Sequence, residues 1–229
     1  LDDYRDGPVF FIGDSAHIVP IFGVRGLNNG LADAYNIAWK LGWVLHGKAD
    51  PALLDSYTPE RRGATLDVFA NATKSARFMT PPTRGWEMMR NAALNLALSH
   101  SFAGELANPR QMTPYTYANS PVVAPDDPQF EGGPVAGAML PDARVGDGFL
   151  SDLMGTGFSL ILFGDHHAEA FKLKGVKIIS IPHKSEAAKR LGAAKSSAYL
   201  VRPDLHIAAR WFEASAADVA SGLKHATAG

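Results

Sequence analysis

The sequence predicts an α/β protein built in two parts, and three observations carry that reading. A short run of β-forming residues, 8–12, stops at Gly13-Asp14 and is followed by a glycine-bearing loop and a long stretch of helical periodicity. Residues 108–134 then hold six prolines (Pro109, Pro114, Pro121, Pro125, Pro128 and Pro134) and the pair Gly132-Gly133, so neither helix nor sheet can run through them. Beyond them short apolar runs alternate with helical ones, the pattern of a small α/β domain.

Taken in order, the run 8–12 (Pro-Val-Phe-Phe-Ile) is too short for a helix and reads as a buried strand that ends in a turn. Asn28 or Asn29 is expected to cap a helix reaching Gly47, with Ala34, Ile37, Ala38, Leu41, Val44 and Leu45 on its buried face. Asp50 before Pro51 opens a short helical turn. Thr58 before Pro59 and Glu60 opens a longer helix, with Leu66, Phe69 and Ala70 expected inside, and Pro81-Pro82 ends that region. Another helix is expected over 84–106, where Trp86, Met89, Ala93 and Leu96 share a stripe. After the prolines, strands are expected at 159–163, 175–181, 198–202 and 206–212, the last two joined by a tight turn at Pro203-Asp204-Leu205. Helices are expected at about 166–173, 185–191 and 215–226, the last opened by Ser215 with Asp218 three residues on. The chain thus divides into 1–107, a connector at 108–134, and 135–229.

Composition narrows the function classes. Of 229 residues, 46% are hydrophobic and 20% charged, and the net charge of -1 gives no electrostatic reason for nucleic acid or an anionic membrane as partner. No apolar stretch approaches the roughly 20 residues of a membrane helix. The acidic start, Leu1-Asp2-Asp3-Tyr4-Arg5-Asp6, does not resemble a signal peptide, and with no cysteine there is neither disulfide nor thiolate chemistry; a cytoplasmic address is expected.

The chemistry concentrates between Gly13 and Asn28. A strand ending in Gly-Asp sets the Asp14 carboxylate at the carboxyl edge of a sheet, where α/β folds bind ligands, ready to accept hydrogen bonds from sugar-type hydroxyls. Gly23, Gly26 and Gly30 let backbone approach a flat ligand, and the Gly26-Leu27-Asn28 turn presents the free N–H groups of the next helix, an anion site. Asp14, Ser15 and His17 spell a hydrolase triad, but neighbours on one turn do not meet in that geometry, and His17 reads as a packed structural histidine. Asp165-His166-His167 lacks further ligand spacing, so no metal site is expected.

Together these features resemble the flavoprotein aromatic hydroxylases, the group of p-hydroxybenzoate hydroxylase and phenol hydroxylase. The likeness covers residues 8–62 without a gap: Gly13-Asp14-Ser15-Ala16-His17 with Pro20, Gly26-Leu27-Asn28 with Gly30, Asp33-Ala34 with Asn36 and Ala38-Trp39-Lys40-Leu41, and Leu53-Leu54-Asp55-Ser56-Tyr57 with Glu60-Arg61-Arg62. The resemblance implies that Asp14 binds the ribityl chain of FAD, Pro20 lies against the isoalloxazine ring, the Leu27 and Asn28 backbone after Gly26 holds the pyrimidine edge, and Gly13 lets the chain pass the pyrophosphate. It implies NADH or NADPH as co-substrate and transfer of one oxygen atom from O2 to a small aromatic, phenol-type substrate. Many members carry a second proline and a glutamine where Ile21 and Arg25 stand here.

Residues from about 135 onward resemble the thioredoxin-like C-terminal domain of phenol hydroxylase, through Gly137 with Leu140-Pro141-Asp142-Ala143-Arg144 and through Tyr199-Leu200-Val201-Arg202-Pro203-Asp204 with His206-Ile207-Ala208 and Arg210. Gly164-Asp165-His166-His167-Ala168 stands where redox cysteines would, and no proline precedes Ala198, so the resemblance implies a scaffold without thiol exchange that contributes to self-association. No Gly-x-Gly-x-x-Gly turn occurs, which leads us to expect the C-terminal part of a hydroxylase that by itself is inactive and does not hold FAD stoichiometrically. No catalytic residue is assigned. Two rivals stay open: another flavoprotein oxidoreductase (oxidase, halogenase or reductase), and a non-catalytic scaffold or dimerisation module.

Overall fold

The computed structural model describes residues 1–19, 25–107, 113–164 and 168–229. They form two compact units, the first made of 1–35 and 61–113, the second of 36–60 and 114–229.

In the first unit, strands β1 (Arg5–Asp6) and β2 (Val9–Phe10) pair antiparallel across Gly7, whose φ of +54° suits the tight reversal. The run 8–12 is therefore not the buried strand expected: only two of its residues pair, and Val9 and Ile12 are exposed. Among the described residues β1 is its only strand partner, and the Arg5 guanidinium lies over the Phe10 ring, 5.2 Å from its centre. A 3-10 turn, Gly13–Ser15, follows, in which the Ser15 hydroxyl donates to the Ile12 carbonyl and accepts from the Ile12 N–H.

Helix α1 (Gly26–Leu45) begins two residues before the expected caps, so Asn28 and Asn29 lie in its first turn. Its inward stripe also differs from the apolar one expected. Asn29, Asp33, Asn36 and Lys40 are buried while Ala38 and Leu45 are exposed; of the expected set Ile37 alone is fully buried. Helix α2 (Tyr57–Met79) repeats the pattern, burying Glu60, Arg61, Ala64 and Thr65 and leaving Leu66 and Ala70 exposed. A polar stripe can face inward only where each group finds a partner; those partners are described below. Between the helices, Asp50 caps a 3-10 turn, Pro51–Ser56, accepting from the Ala52 N–H at 2.8 Å as expected. The span 84–106 is two helices, α3 (Arg84–Ala97) and α4 (Ser101–Ala107), and of its expected stripe only Ala93 is fully buried. The chain turns at Ser99 and His100, whose N–H groups both donate back to the Leu96 carbonyl.

The second unit matches its sequence reading closely. After the short hairpin β3 (Arg144–Val145) and β4 (Gly148–Phe149) comes a four-stranded sheet of β5 (Phe158–Phe163), β6 (Val176–Ile181), β7 (Ala198–Val201) and β8 (Ile207–Trp211). The spatial order is β6-β5-β7-β8, with β5 and β6 parallel and the other pairs antiparallel, the arrangement that the thioredoxin-like resemblance implies. Every residue of β5 is buried, as befits a central strand covered on both faces. Ile161 and Phe163 pack with Tyr199, Val201 and Leu191 on one side, and Leu160 and Leu162 with Phe171 and Val219 on the other.

Helix α5 (Glu186–Leu191) is capped by Ser185 and closed by Gly192 at φ +65°, and α6 (Ala216–Ala226) opens with the expected Ser215/Asp218 capping box. A β-carbon at Gly222 would lie 2.6 Å from Trp211, so only glycine lets α6 settle on β8. Of the helix expected at 166–173, residues 168–171 form only a 3-10 turn, Ala168–Phe171, and 166 and 167 lie outside the described residues.

Residues 113–134 hold no helix or strand, in line with their prolines, yet they are tied down. Arg210 of β8 donates through Nε and Nη2 to the two oxygens of Asp126, each at 2.7 Å, and its guanidinium lies 4.2 Å from the Phe130 ring centre. Burial alone would raise the Asp126 pKa, but Arg210 and the Ala136 N–H hold it below its usual value. No helix among the described residues is long and apolar enough to cross a membrane.

Candidate functional site

In the first unit one carboxylate organises the region that the sequence singled out. Asp33, fully buried on α1, accepts the Gly13 N–H at 3.0 Å and His17 Nε2 at 2.6 Å on one oxygen, and Arg61 Nε at 2.6 Å on the other. Arg61 Nη2 also donates to the side-chain oxygen of Asn29 at 2.6 Å, and Asn29 Nδ2 donates to Thr65 Oγ1 at 3.0 Å. The turn after β2, the start of α1 and the start of α2 are thereby held by one network. Such charge-assisted bonds are short and about twice as strong as neutral ones.

Geometry explains two of the glycines. Gly13 has φ +55°, a region L side chains avoid, and a β-carbon at Gly30 would lie 3.2 Å from the Gly13 Cα. The turn and the second turn of α1 are therefore in close backbone contact. Asp14, next to that contact, is exposed and faces a cleft of about 410 Å3 lined by Tyr4, His17, Ile18, Arg62 and Phe69 among others. Arg62 there pairs with Asp2 at 2.7 Å. Gly26, Leu27 and Asn28 are the first three residues of α1, with Leu27 and Asn28 exposed. Asn29 makes the first N–H bond back along the helix, to Arg25, so the three N–H groups ahead of it belong to the helix end that lacks intrahelical acceptors.

Gly13 and Asp14 thus lie on a turn that touches α1 at Gly30, and Gly26, Leu27 and Asn28 form the N-terminus of that helix. Pro20 and Gly23 lie outside the described residues, as do Asp165, His166 and His167. His17 is buried and bonded to Asp33, as a structural histidine would be, with its ring 5.7 Å from Tyr4. Sequence reasoning gave Asn29 only a helix-capping role and gave no structural role to Asp33, Arg61 or Thr65. The signal was available: polar residues recur on α1 at 29, 33, 36 and 40, a helical spacing.

The second unit holds a separate ionic cluster with no ligand-facing member. Glu60 accepts from Arg202 Nη1 at 2.6 Å, Lys40 at 2.8 Å, Asn36 at 2.7 Å and Ser120 at 2.5 Å. Asp204 accepts from Arg202 Nη2 at 2.6 Å and from Trp39 Nε1 at 3.1 Å. Burial pushes the Lys40 ammonium down to about 8 against the pull of Glu60. Burial would raise Glu60 and Asp204, but Arg202 beside both holds them well below the usual carboxylate range.

Comparison with known proteins falls on the same regions. Residues 1–72 match the FAD binding domain family. Over 209 residues the chain is 32% identical to rifampicin monooxygenase of Rhodococcus hoagii, covering 90% of this chain and 40% of that protein. Among solved structures, it is similar to the rebeccamycin biosynthetic enzyme RebC with reduced flavin, at 27% identity and a TM-score of 0.72 over 98% of this chain and 46% of that one. It is similar also to aklavinone-11 hydroxylase in complex with FAD and aklavinone, at 27% identity and a TM-score of 0.73 over 99% of this chain and 44% of that one. The chain spans less than half the length of these proteins. Residues 1–72 thus match the FAD binding domain family, and over most of its length the chain is similar to FAD-dependent monooxygenases of the aromatic hydroxylase type.

Proposed function

We propose that this chain supplies the C-terminal part of a flavoprotein monooxygenase that hydroxylates a small aromatic, phenol-type substrate with FAD, NADH or NADPH, and O2. The observation that supports the reading is the close approach of Gly13 and Gly30, which joins the turn carrying the exposed Asp14 carboxylate to α1.

That arrangement fits the cofactor. Asp14 is an acceptor for ribityl hydroxyls, and the Gly26, Leu27 and Asn28 N–H groups suit the electron-rich pyrimidine edge, which a helix N-terminus favours by about 0.3–1 kcal/mol when exposed. Gly13, without a Cβ, leaves room for the pyrophosphate. Pro20, the remaining expected contact, would cover the ring. When bound, the flavin supplies the oxygen-transfer chemistry; this chain's own groups hold and orient it. Asp33 is a positioning residue: it fixes the Gly13 N–H and so the direction in which Asp14 points. On this reading residues 1–107 serve the flavin, 135–229 form the scaffold behind the connector 108–134, the protein self-associates, and its address is cytoplasmic.

The test is made on the native gene product purified with its flavin. Asp14→Ala should lower FAD affinity by about 1.5–3 kcal/mol, roughly ten- to a hundredfold, because a charged hydrogen bond is lost. The melting temperature of the flavin-free protein should hold, since Asp14 is exposed. Unchanged flavin content in that variant would remove the assignment. Oxidation of NADH or NADPH that yields only peroxide and no ring hydroxylation, across phenolic substrates, would favour the oxidase reading.

A further inference from the structure

The second unit carries a cleft that the flavin reading does not use. It lies between the C-terminal end of α1, the C-terminal half of α6 and the loop before β6, and its volume is about 570 Å3, the size of a small-molecule site. Trp43 and Leu223 form an apolar wall, with Ala220 and Gly175 leaving space in front of it. Trp43 is held in place by Phe158, their rings 4.9 Å apart at 74°. A Cβ built at Gly157 would sit 3.7 Å from the Trp43 ring, so the strand end supports the indole from behind.

Three cations converge on this wall from three separate elements. Lys48, Lys174 and Lys224 all line the cleft and are exposed, and among the described residues no acidic side chain lines it. Lys172 nearby in sequence pairs with Glu169, whereas none of the three cleft lysines makes an ion pair among the described residues. Lys48 and Lys224 follow or occupy the last turns of α1 and α6, where cations complement the carbonyl end of a helix. That accounts for two of them. Lys174 follows only a short 3-10 turn, so no helix end explains its place. The Lys48 ammonium lies 5.8 Å from the Trp43 ring centre, which brings positive charge directly over the aromatic wall.

We propose that this cleft is a binding site for a small aromatic acid, with its ring against Trp43 and Leu223 and its carboxylate among the Lys48, Lys174 and Lys224 ammonium groups. A bare inorganic anion would leave the apolar wall wet, and a neutral aromatic would leave the three charges unused.

The probe is 2-naphthoate, titrated into the 229-residue chain and followed by calorimetry and backbone amide shifts, with 2-naphthamide and inorganic phosphate as controls. Saturable binding is expected with Kd about 1 mM or tighter, and the amide about tenfold weaker, as expected for loss of several exposed ion pairs. The triple variant Lys48→Gln, Lys174→Gln and Lys224→Gln should lose the same factor while keeping its melting temperature. Trp43→Leu, which keeps an apolar side chain against Phe158, should weaken both probes alike. Shifts should centre on residues 43–48, 174–176 and 220–227. Equal affinity for acid and amide, unchanged binding in the triple variant, shifts centred elsewhere, phosphate binding as tightly as naphthoate, or no saturation would each overturn the proposal.

Discussion

The two units solve the same problem, a buried charged network, in different surroundings. In the second, Glu60, Asp204, Arg202 and Lys40 sit beside a sheet whose two faces carry apolar clusters built on residues such as Phe163, Leu162 and Leu200. In the first, Asp33, Arg61, His17, Asn29 and Thr65 form much of the buried set themselves, and the apolar residues buried with them are Tyr4 and alanines. The difference teaches that one network locks a packed scaffold while the other positions a turn. The first leaves Asp14 exposed at its edge; the second has every carboxylate fully paired.

The sharpest way to break that comparison is Arg202→Met. It leaves two buried carboxylates with one ammonium between them, and removal of one partner from a buried pair costs about 3–5 kcal/mol. Denaturant unfolding monitored in the second unit should show a loss of that size. A loss under about 1 kcal/mol, the worth of an exposed pair, would mean that the cluster does not lock the scaffold.

Acid should separate the units next. Glu60 and Asp204 have depressed folded pKa values, so the stability they contribute is present above their ordinary values of 4.5 and 3.8 and is lost as pH falls below them. Lys40 runs the other way: it is pushed down to about 8 from 10.5, so the unfolded chain binds its proton more tightly and stability from this group grows as pH rises through that window. Unfolding free energies measured across pH should show both slopes in the second unit, and Lys40→Met should abolish the alkaline one. A flat alkaline profile in the unmodified protein would contradict the burial of a charged Lys40.

The smallest expected effect is His17→Ala. Asp33 would keep Arg61 and the Gly13 N–H, so the loss is one charge-assisted hydrogen bond, about 1.5–3 kcal/mol. Hydrogen exchange should rise in residues 1–35 and 61–107 and stay unchanged in 144–229. Faster exchange throughout both regions would show that the two networks are not independent.

Read in the sequence alone, the second unit came through best. Its four strands, the Ser215/Asp218 box and the helix at 185–191 each depend on a few neighbouring residues, so local pattern suffices. The Gly13-Asp14 turn was legible because its residue types suit the local backbone geometry, and so was the helix that follows, although it starts at Gly26, two residues before the expected caps. The inner faces of α1 and α2 were not. A hydropathy pattern reads apolar residues as inside, and here Asn29, Asp33, Asn36, Lys40, Glu60 and Arg61 take that place.

What the sequence by itself determined is therefore the order and type of most elements. Tertiary structure alone decided which polar groups are buried. Arg202 reaches Glu60 across 142 residues and Arg61 reaches Asp33 across 28. No window along the chain contains both partners of either pair. Burying a charge is favourable only when its partner is already in place, so which face of α1 turns inward is set by residues far away in the chain.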